Sequence, residues 1–547
     1  MTETPGTTPT PQDPPRTFSG TLRQLGPGLI IAGSIVGSGE LILTTKTGAQ
    51  AGMTLLWLII LGCIIKVFVQ IELGRYSITR GVTTLAALNS VPGPRLRVNW
   101  ILWFWVAMML ASTAQLGGIV GGVGQSLAIA FPVTGDYATY VAVPAHSELK
   151  RYIRWTDDFA AGEREFAQLT PEEQRETRRG VQRIAAQLER LPDRGAAALE
   201  AARLQEKAPA PPFTWDDRMW AGLPAIVTTL MLFFGRYGMV QNLATMLVAA
   251  FTFATIGNVL ALQQTADWRI TGADLAEGFA FRLPSGRGGL TPLATALATF
   301  GIIGVGATEL IAYPYWCIEK GYARFTGPRS DDASWAVRAK GWMRVMHWDA
   351  ALSMVVYTLA TLAFYIMGAA VLHREGLDPA GMRMVSTLTE AYVPVFGEHA
   401  RWLFLGGAFA VLYSTYLVAI AGHALTYSDG LRVFGLIPKD DPASYRWWVT
   451  AFRVTLPLLC LAIFWTGYDP VSLILISGAM QATMLPMIGF AALYLRWTST
   501  DPRLRPRRIW DVMLVISCLG LFVAGTWGVY EQFEKVRASF SAKASGL

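Results

Sequence analysis

Two short stretches carry the residues whose types and spacing could do chemistry: Val36-Gly37-Ser38-Gly39-Glu40-Leu41 and Val305-Gly306-Ala307-Thr308-Glu309-Leu310. They agree at four of six positions, and each lies in an apolar run long enough to cross a membrane. A carboxylate at the centre of such a run costs roughly 3 kcal/mol, so it tends to have a partner or a job. Glycine lets the backbone leave helical geometry, which bares carbonyl and amide groups that lipid cannot satisfy. Pro314 removes one further donor after the second stretch. Two carboxylates beside bared carbonyls make an oxygen-rich site suited to a hard cation. Glu40 and Glu309 are therefore expected as metal ligands. Carbonyls near Gly37 and Gly306 would complete the shell, and Ser38, Gly39, Ala307 and Thr308 would line the substrate site. Lys46 and Lys66, both in early spans, are candidate ion-pair partners that would give either glutamate a structural role instead.

The elements that must position these residues follow from composition. Of 547 residues, 52% are hydrophobic and 16% charged, where a soluble domain carries about a quarter charged. Long continuous apolar runs, rather than short alternating segments, imply an all-α polytopic membrane protein and not a barrel. The net charge of +7 lies largely in short loops between spans and does not signal nucleic-acid binding. The polar, proline-rich start lacks the basic and apolar regions of a cleavable signal, so the first span is expected to be retained. All four cysteines fall in spans, and none is spaced for a disulfide or a zinc site.

Eleven spans are expected, near 26–48, 53–74, 98–131, 217–235, 238–263, 294–318, 348–372, 400–426, 446–466, 470–495 and 510–532. Basic connections such as "RYSITRG", "EKGYARFTGPRS" and "RWTSTDPRLRPRR" alternate with poorer ones. Placing them in the cytoplasm puts the N-terminus inside and the C-terminus outside. Residues 1–24 read as a disordered cytoplasmic segment and 134–216 as an extracytoplasmic helical insert, with a helix start at "TPEE". Asp349, just after a basic loop, is expected to cap the start of its own helix. With this topology the two glutamate stretches sit in the first and sixth spans, which run in opposite directions. That arrangement implies two inverted five-helix repeats, 25–263 and 264–495, with broken first helices that bind substrate near the midplane, followed by an eleventh span and tail over 496–547.

Further stretches carry a resemblance. "LGPGLIIAG", "GAQAGMTLLWLIILG", "AAVLH", "LFLGGAFAVLYSTYLVAIAGHA" and "MLPM" make the chain similar, over most of 20–532 outside the insert, to the natural resistance-associated macrophage protein (NRAMP) divalent-metal transporters. The resemblance implies a LeuT-like fold. The family's functional residues do not carry over: its Asp-Pro-Gly-Asn motif falls on Gly37-Ser38-Gly39-Glu40, and its Met-Pro-His motif on Leu310-Ile311-Ala312. Its third-span acids fall near Gln115 and Gly118, and its tenth-span glutamine falls on Gly478, with Gln481 one turn away. Gly478 and Gln481 thus join the expected substrate site.

Loss of the thioether ligand moves selectivity toward hard ions such as Mg²⁺, or broadens it to Mn²⁺ and Mg²⁺. Loss of the histidine and third-span acids implies altered or absent proton coupling, though His423 offers another titratable group. The expected function is alternating-access transport of a divalent cation in a bacterial inner membrane, with the cation as substrate and no cofactor. Lipid and the ion are the expected partners, with no nucleic acid and no obligate protein partner. The rival is a carrier of a small organic solute, an amino acid or amine, because "GSIVGSGEL" also resembles the first-span break of amino acid–polyamine–organocation transporters. No assembled catalytic constellation is present, so an enzyme is not expected.

Overall fold

A computed structural model describes residues 11–205, 207–234, 237–284 and 292–545. Among these, nine helices are long and apolar enough to cross a membrane, ten when the bent pair in the first span counts as one. The fourth expected span forms the helix Asp216–Phe234, which falls outside that count because its first turn carries Asp216, Asp217 and Arg218.

The core of the bundle is set by small residues. The third span, Trp100–Ala130, is started by Asn99, whose side chain accepts from Ile101 N at 3.1 Å. It packs along Asp216–Phe234, Ala400–Val433, Pro442–Trp465 and Pro470–Thr498. Its Gly118 has Pro470 O at 2.8 Å from where a β-carbon would stand, so it serves packing rather than proton chemistry. Gly301 and Gly478 bring the sixth and tenth spans into backbone contact: a β-carbon on Gly301 would lie 2.1 Å from Gly478 O.

Three expectations are corrected. Residues 11–24 are ordered: Thr17 caps the helix Phe18–Gln24, Tyr322 donates to Gln24 O, and Trp342 donates to Gln12 O. The seventh span begins well before residue 348, as the continuous helix Ala333–Met367 that runs on through a wide turn to Leu372. Asp349 is therefore mid-helix and does not cap its own. It caps another, accepting from Gly26 N at 2.8 Å and Gly28 N at 2.5 Å at the start of Pro27–Ile35. Gly28 is required there, since a β-carbon would lie 2.6 Å from Asp349 O.

The insert forms four helices, Asp136–Ala142, His146–Ala160, Pro171–Glu189 and Pro192–Leu204. Thr170 and Glu173 make the reciprocal cap read from "TPEE". Leu149, Ile184 and Ala202 form its small core. It docks on the loop after the seventh span: Arg151 donates to Gly376 O at 2.8 Å, and Arg183 joins Glu148 at 2.6 Å and Glu375 at 3.7 Å.

Candidate functional site

The first span breaks after Pro27–Ile35, and the chain resumes in a wide π-helical turn, Ser38–Thr44, followed by Thr45–Ala51; the two halves meet at 42°. Gly37 is needed at the break because a β-carbon would overlap Thr415 Oγ1 at 1.7 Å. Thr415 of the eighth span donates to Gly33 O at 3.1 Å and so satisfies a carbonyl of the interrupted ladder, while neighbouring Ser414, 3.3 Å from the same oxygen, donates to Val411 O at 2.9 Å. The sixth span breaks between Pro292–Ile302 and Ala307–Lys320. Gly304 turns the chain with φ +58°, against the second span at Cys63.

Around the sixth break the oxygens converge. Glu309, in the first turn after the break, accepts from Ser34 Oγ through Oε1 at 3.1 Å and from Thr308 Oγ1 through Oε2 at 2.8 Å. Thr308 Oγ1 also stands 3.0 Å from Gln481 Oε1. One hydroxyl hydrogen cannot serve both oxygens, and Gln481 Oε1 accepts instead from Thr308 N at 3.3 Å. The bare face of Gly306 completes it: the position of its missing β-carbon lies 2.5 Å from Glu309 Oε2, 2.8 Å from Gln481 Oε1 and 3.1 Å from Ile302 O. A cavity of about 10 Å³ opens beside this cluster, lined by Ser34, Thr308, Glu309, Trp316, Gly422 and His423 among others. That is room for a single water-sized occupant. His423 is tied to Ser112 Oγ through Nε2 at 2.9 Å. Gln481 is held in turn by Gln115 Oε1 and Ser477 Oγ, which accept from its amide at 3.2 and 3.3 Å.

Glu40 lies elsewhere. Its Oε1 accepts from Gly304 N at 3.2 Å and stands 3.2 Å from Thr361 Oγ1, while Oε2 is buried with no hydrogen-bond partner in the structure. It is fully buried and does not line the cavity. Each glutamate thus reaches from its own half of the chain onto the broken span of the other.

Of the residues expected at the site, Gly306, Thr308, Glu309 and Gln481 come together. Gly478 packs, with Ala298 O 2.5 Å from its β-carbon position, and supplies no ligand. Gly37 and Gly306 shape the breaks, but their carbonyls already accept from Leu41 N and Leu310 N. Gly39 O accepts from Thr44, Ala307 is a buried helix start, and the side chain of Ser38 lies outside the described residues. Neither lysine pairs with a glutamate at the breaks: Lys46 bonds Asp378 and Pro379 O, and Lys66 bonds two main-chain carbonyls. Ser34, Thr361, Ser414 and Thr415 were not singled out from sequence. Their only signal is a hydroxyl among small residues in an apolar run, which is common in membrane helices.

Comparison with known proteins extends this picture. A family model described as natural resistance-associated macrophage protein-like matches residues 212–531. An uncharacterized protein of Pasteurella multocida is 23% identical over 306 residues, 54% of this chain and 64% of that protein. The divalent metal cation transporter MntH of Caldanaerobacter subterraneus is 28% identical over 120 residues, 22% of this chain and 28% of that protein. The chain thus spans less than two thirds of the length of these relatives. Among solved structures, a manganese transporter of Eremococcus coleocola superposes with a TM-score of 0.60 at 16% identity, covering 95% of this chain and 88% of that one. The likeness shows the fold, which is the LeuT-like one with interrupted first and sixth spans.

Proposed function

The chain belongs to the natural resistance-associated macrophage protein-like family, one of membrane transporters rather than enzymes, and on that premise we propose that it carries a divalent cation by alternating access, with Glu309 at the centre of the cation site. The observation that carries the reading is the convergence of Glu309 Oε2, Gln481 Oε1 and Ile302 O on the bare face of Gly306. Ser34 and Thr308 flank it with hydroxyls. This donor set is all oxygen, which favours Mg²⁺, Mn²⁺ or Ca²⁺ over softer metals. Glu40 holds the break itself, through Gly304 N, and stands away from the cavity wall. Gln115 and Gly118, where the family's third-span acids fall, carry no titratable group, in keeping with transport that is uncoupled from protons. A volume of about 10 Å³ suits an ion and is too small for an amino acid or amine in this conformation. Basic loops favour a cytoplasmic N-terminus and an external C-terminus.

The test is uptake of Mg²⁺, Mn²⁺ and Ca²⁺ into proteoliposomes with a pH dye inside, comparing wild type with Glu309→Gln. Divalent uptake that needs Glu309 and leaves internal pH unchanged is the expected result. Absence of uptake for all three ions, with folded protein in the vesicles, would overturn the reading in favour of an organic solute.

A further inference from the structure

Lys66 stands in the second span, Leu56–Arg80, with no solvent exposure, and the mechanism above gives it no task. Its ammonium donates to the carbonyl oxygens of Phe300 and Ile303, the latter at 2.7 Å, and lies 4.7 Å from the centre of the Phe300 ring. Those carbonyls belong to the last turn of Pro292–Ile302 and the first residue of the sixth-span break. A helix leaves its final carbonyls without partners and concentrates negative partial charge there. In hydrocarbon each such carbonyl must be satisfied. In broken-helix transporters, these half-helix C-terminal ends are where a coupling monovalent cation is coordinated.

The approach is built into the packing. Gly62, one turn before Lys66, has Ile303 Cδ1 and Phe300 Cδ2 each 3.0 Å from its β-carbon position, and Gly304 lies equally tight on Cys63 and Gly62. Two glycines therefore let the second span close on the break, and the lysine stem runs along that contact to the helix end. The same turn supplies Gly304 N to Glu40, so Lys66 and Glu40 bind neighbouring residues of one break.

We propose that Lys66 is a built-in monovalent cation: it fills the carbonyl cluster at the broken end of the sixth span in place of a free alkali ion, so the chain needs none, and truncating it opens a site for K⁺, Na⁺ or NH₄⁺. The inference concerns a monovalent ion and holds whichever solute is carried.

The test is thermal unfolding of the full-length protein in detergent, with choline chloride replaced by KCl, NaCl or NH₄Cl at constant ionic strength. Wild type should unfold at the same temperature in all four salts. Lys66→Ala should be less stable in choline and should recover by about 2 °C or more, saturably, in at least one of the other three. Lys66→Gln, whose amide reaches the same carbonyls, should show no ion response. A saturable alkali response in wild type overturns the proposal. So does an equal response in Lys66→Gln, which would place the ion elsewhere. So does a Lys66→Ala protein that none of the three ions restores, including one that folds in none of them.

Discussion

At the sixth-span break the carboxylate of Glu309 turns toward a small cavity, between Ser34, Thr308 and the bare face of Gly306. At the first-span break the carboxylate of Glu40 turns into the packed bundle, against Gly304 and Thr361, with one oxygen lacking a hydrogen bond. The glycine three residues before each glutamate differs in the same way. Gly306 is bare toward oxygens, and Gly37 is bare toward the side chain of Thr415. Four identical residues in six do not make two equivalent half-sites, because the surroundings of each come from other spans. One break presents ligands, and the other holds the bundle together around a buried carboxyl group.

That contrast orders the expected effects. Glu309→Gln should lower divalent uptake by about 100-fold or more, the equivalent of roughly 3 kcal/mol of lost ligation. Gly306→Ala should follow, at about 10- to 100-fold, because its methyl would stand within 2.5 Å of Glu309 Oε2 while thermal stability stays near wild type. Glu40→Gln should cost about tenfold, the lower end of what groups behind a metal site usually carry, because it touches the break and not the cavity. Equal losses in Glu40→Gln and Glu309→Gln would break the comparison, and both are read in the same flux assay. Gly37→Ala should instead act on stability, lowering it by about 1–3 kcal/mol through its clash with Thr415, measured as a fall in Tm.

The smallest effect lies away from both breaks, where the insert meets the loop after the seventh span. Burial pushes Glu148 upward, but the Arg183 charge and hydrogen bonds outweigh it and hold the carboxyl below its usual range. Burial dominates at Glu375 and Glu390 and raises both, against opposing arginines. A raised carboxyl favours the docked state as pH falls through its folded value, and a depressed one ceases to help below its own. Hydrogen-exchange protection of Pro171–Glu189 should therefore rise from neutral pH to about 5 and fall again below about 4. Monotonic loss of protection from neutral pH downward would show that Glu148 alone governs the contact.

Much of this was legible in the sequence. Hydropathy located nine membrane-length helices and the bent first span among the described residues, glycine-rich stretches located the two breaks, and "TPEE" located a real helix start. The direction of each glutamate was not legible. Glu40 meets its partners 264 and 321 residues away, and Glu309 meets Ser34 at a separation of 275. A six-residue motif holds no information about which neighbours a π-helical turn or a positive φ will aim its side chain at. Lys66 shows the same limit. A buried lysine near two glutamates reads as an ion pair, and only the end of a helix brought to it by two glycines makes main-chain carbonyls the better partner.

The cap that Asp349 places on Pro27–Ile35 has a consequence for biogenesis. The donors at Gly26 and Gly28 precede their acceptor by 323 and 321 residues. At ordinary elongation rates the ribosome needs on the order of tens of seconds to cover that interval. During that time the leading half of the first span has no native partner for its opening amides. The native cap of this half-helix cannot form until the seventh span has been made. Final seating of the half-helix that begins the chain's journey across the bilayer is thus a late step of assembly, timed by translation of a residue more than halfway along the polypeptide.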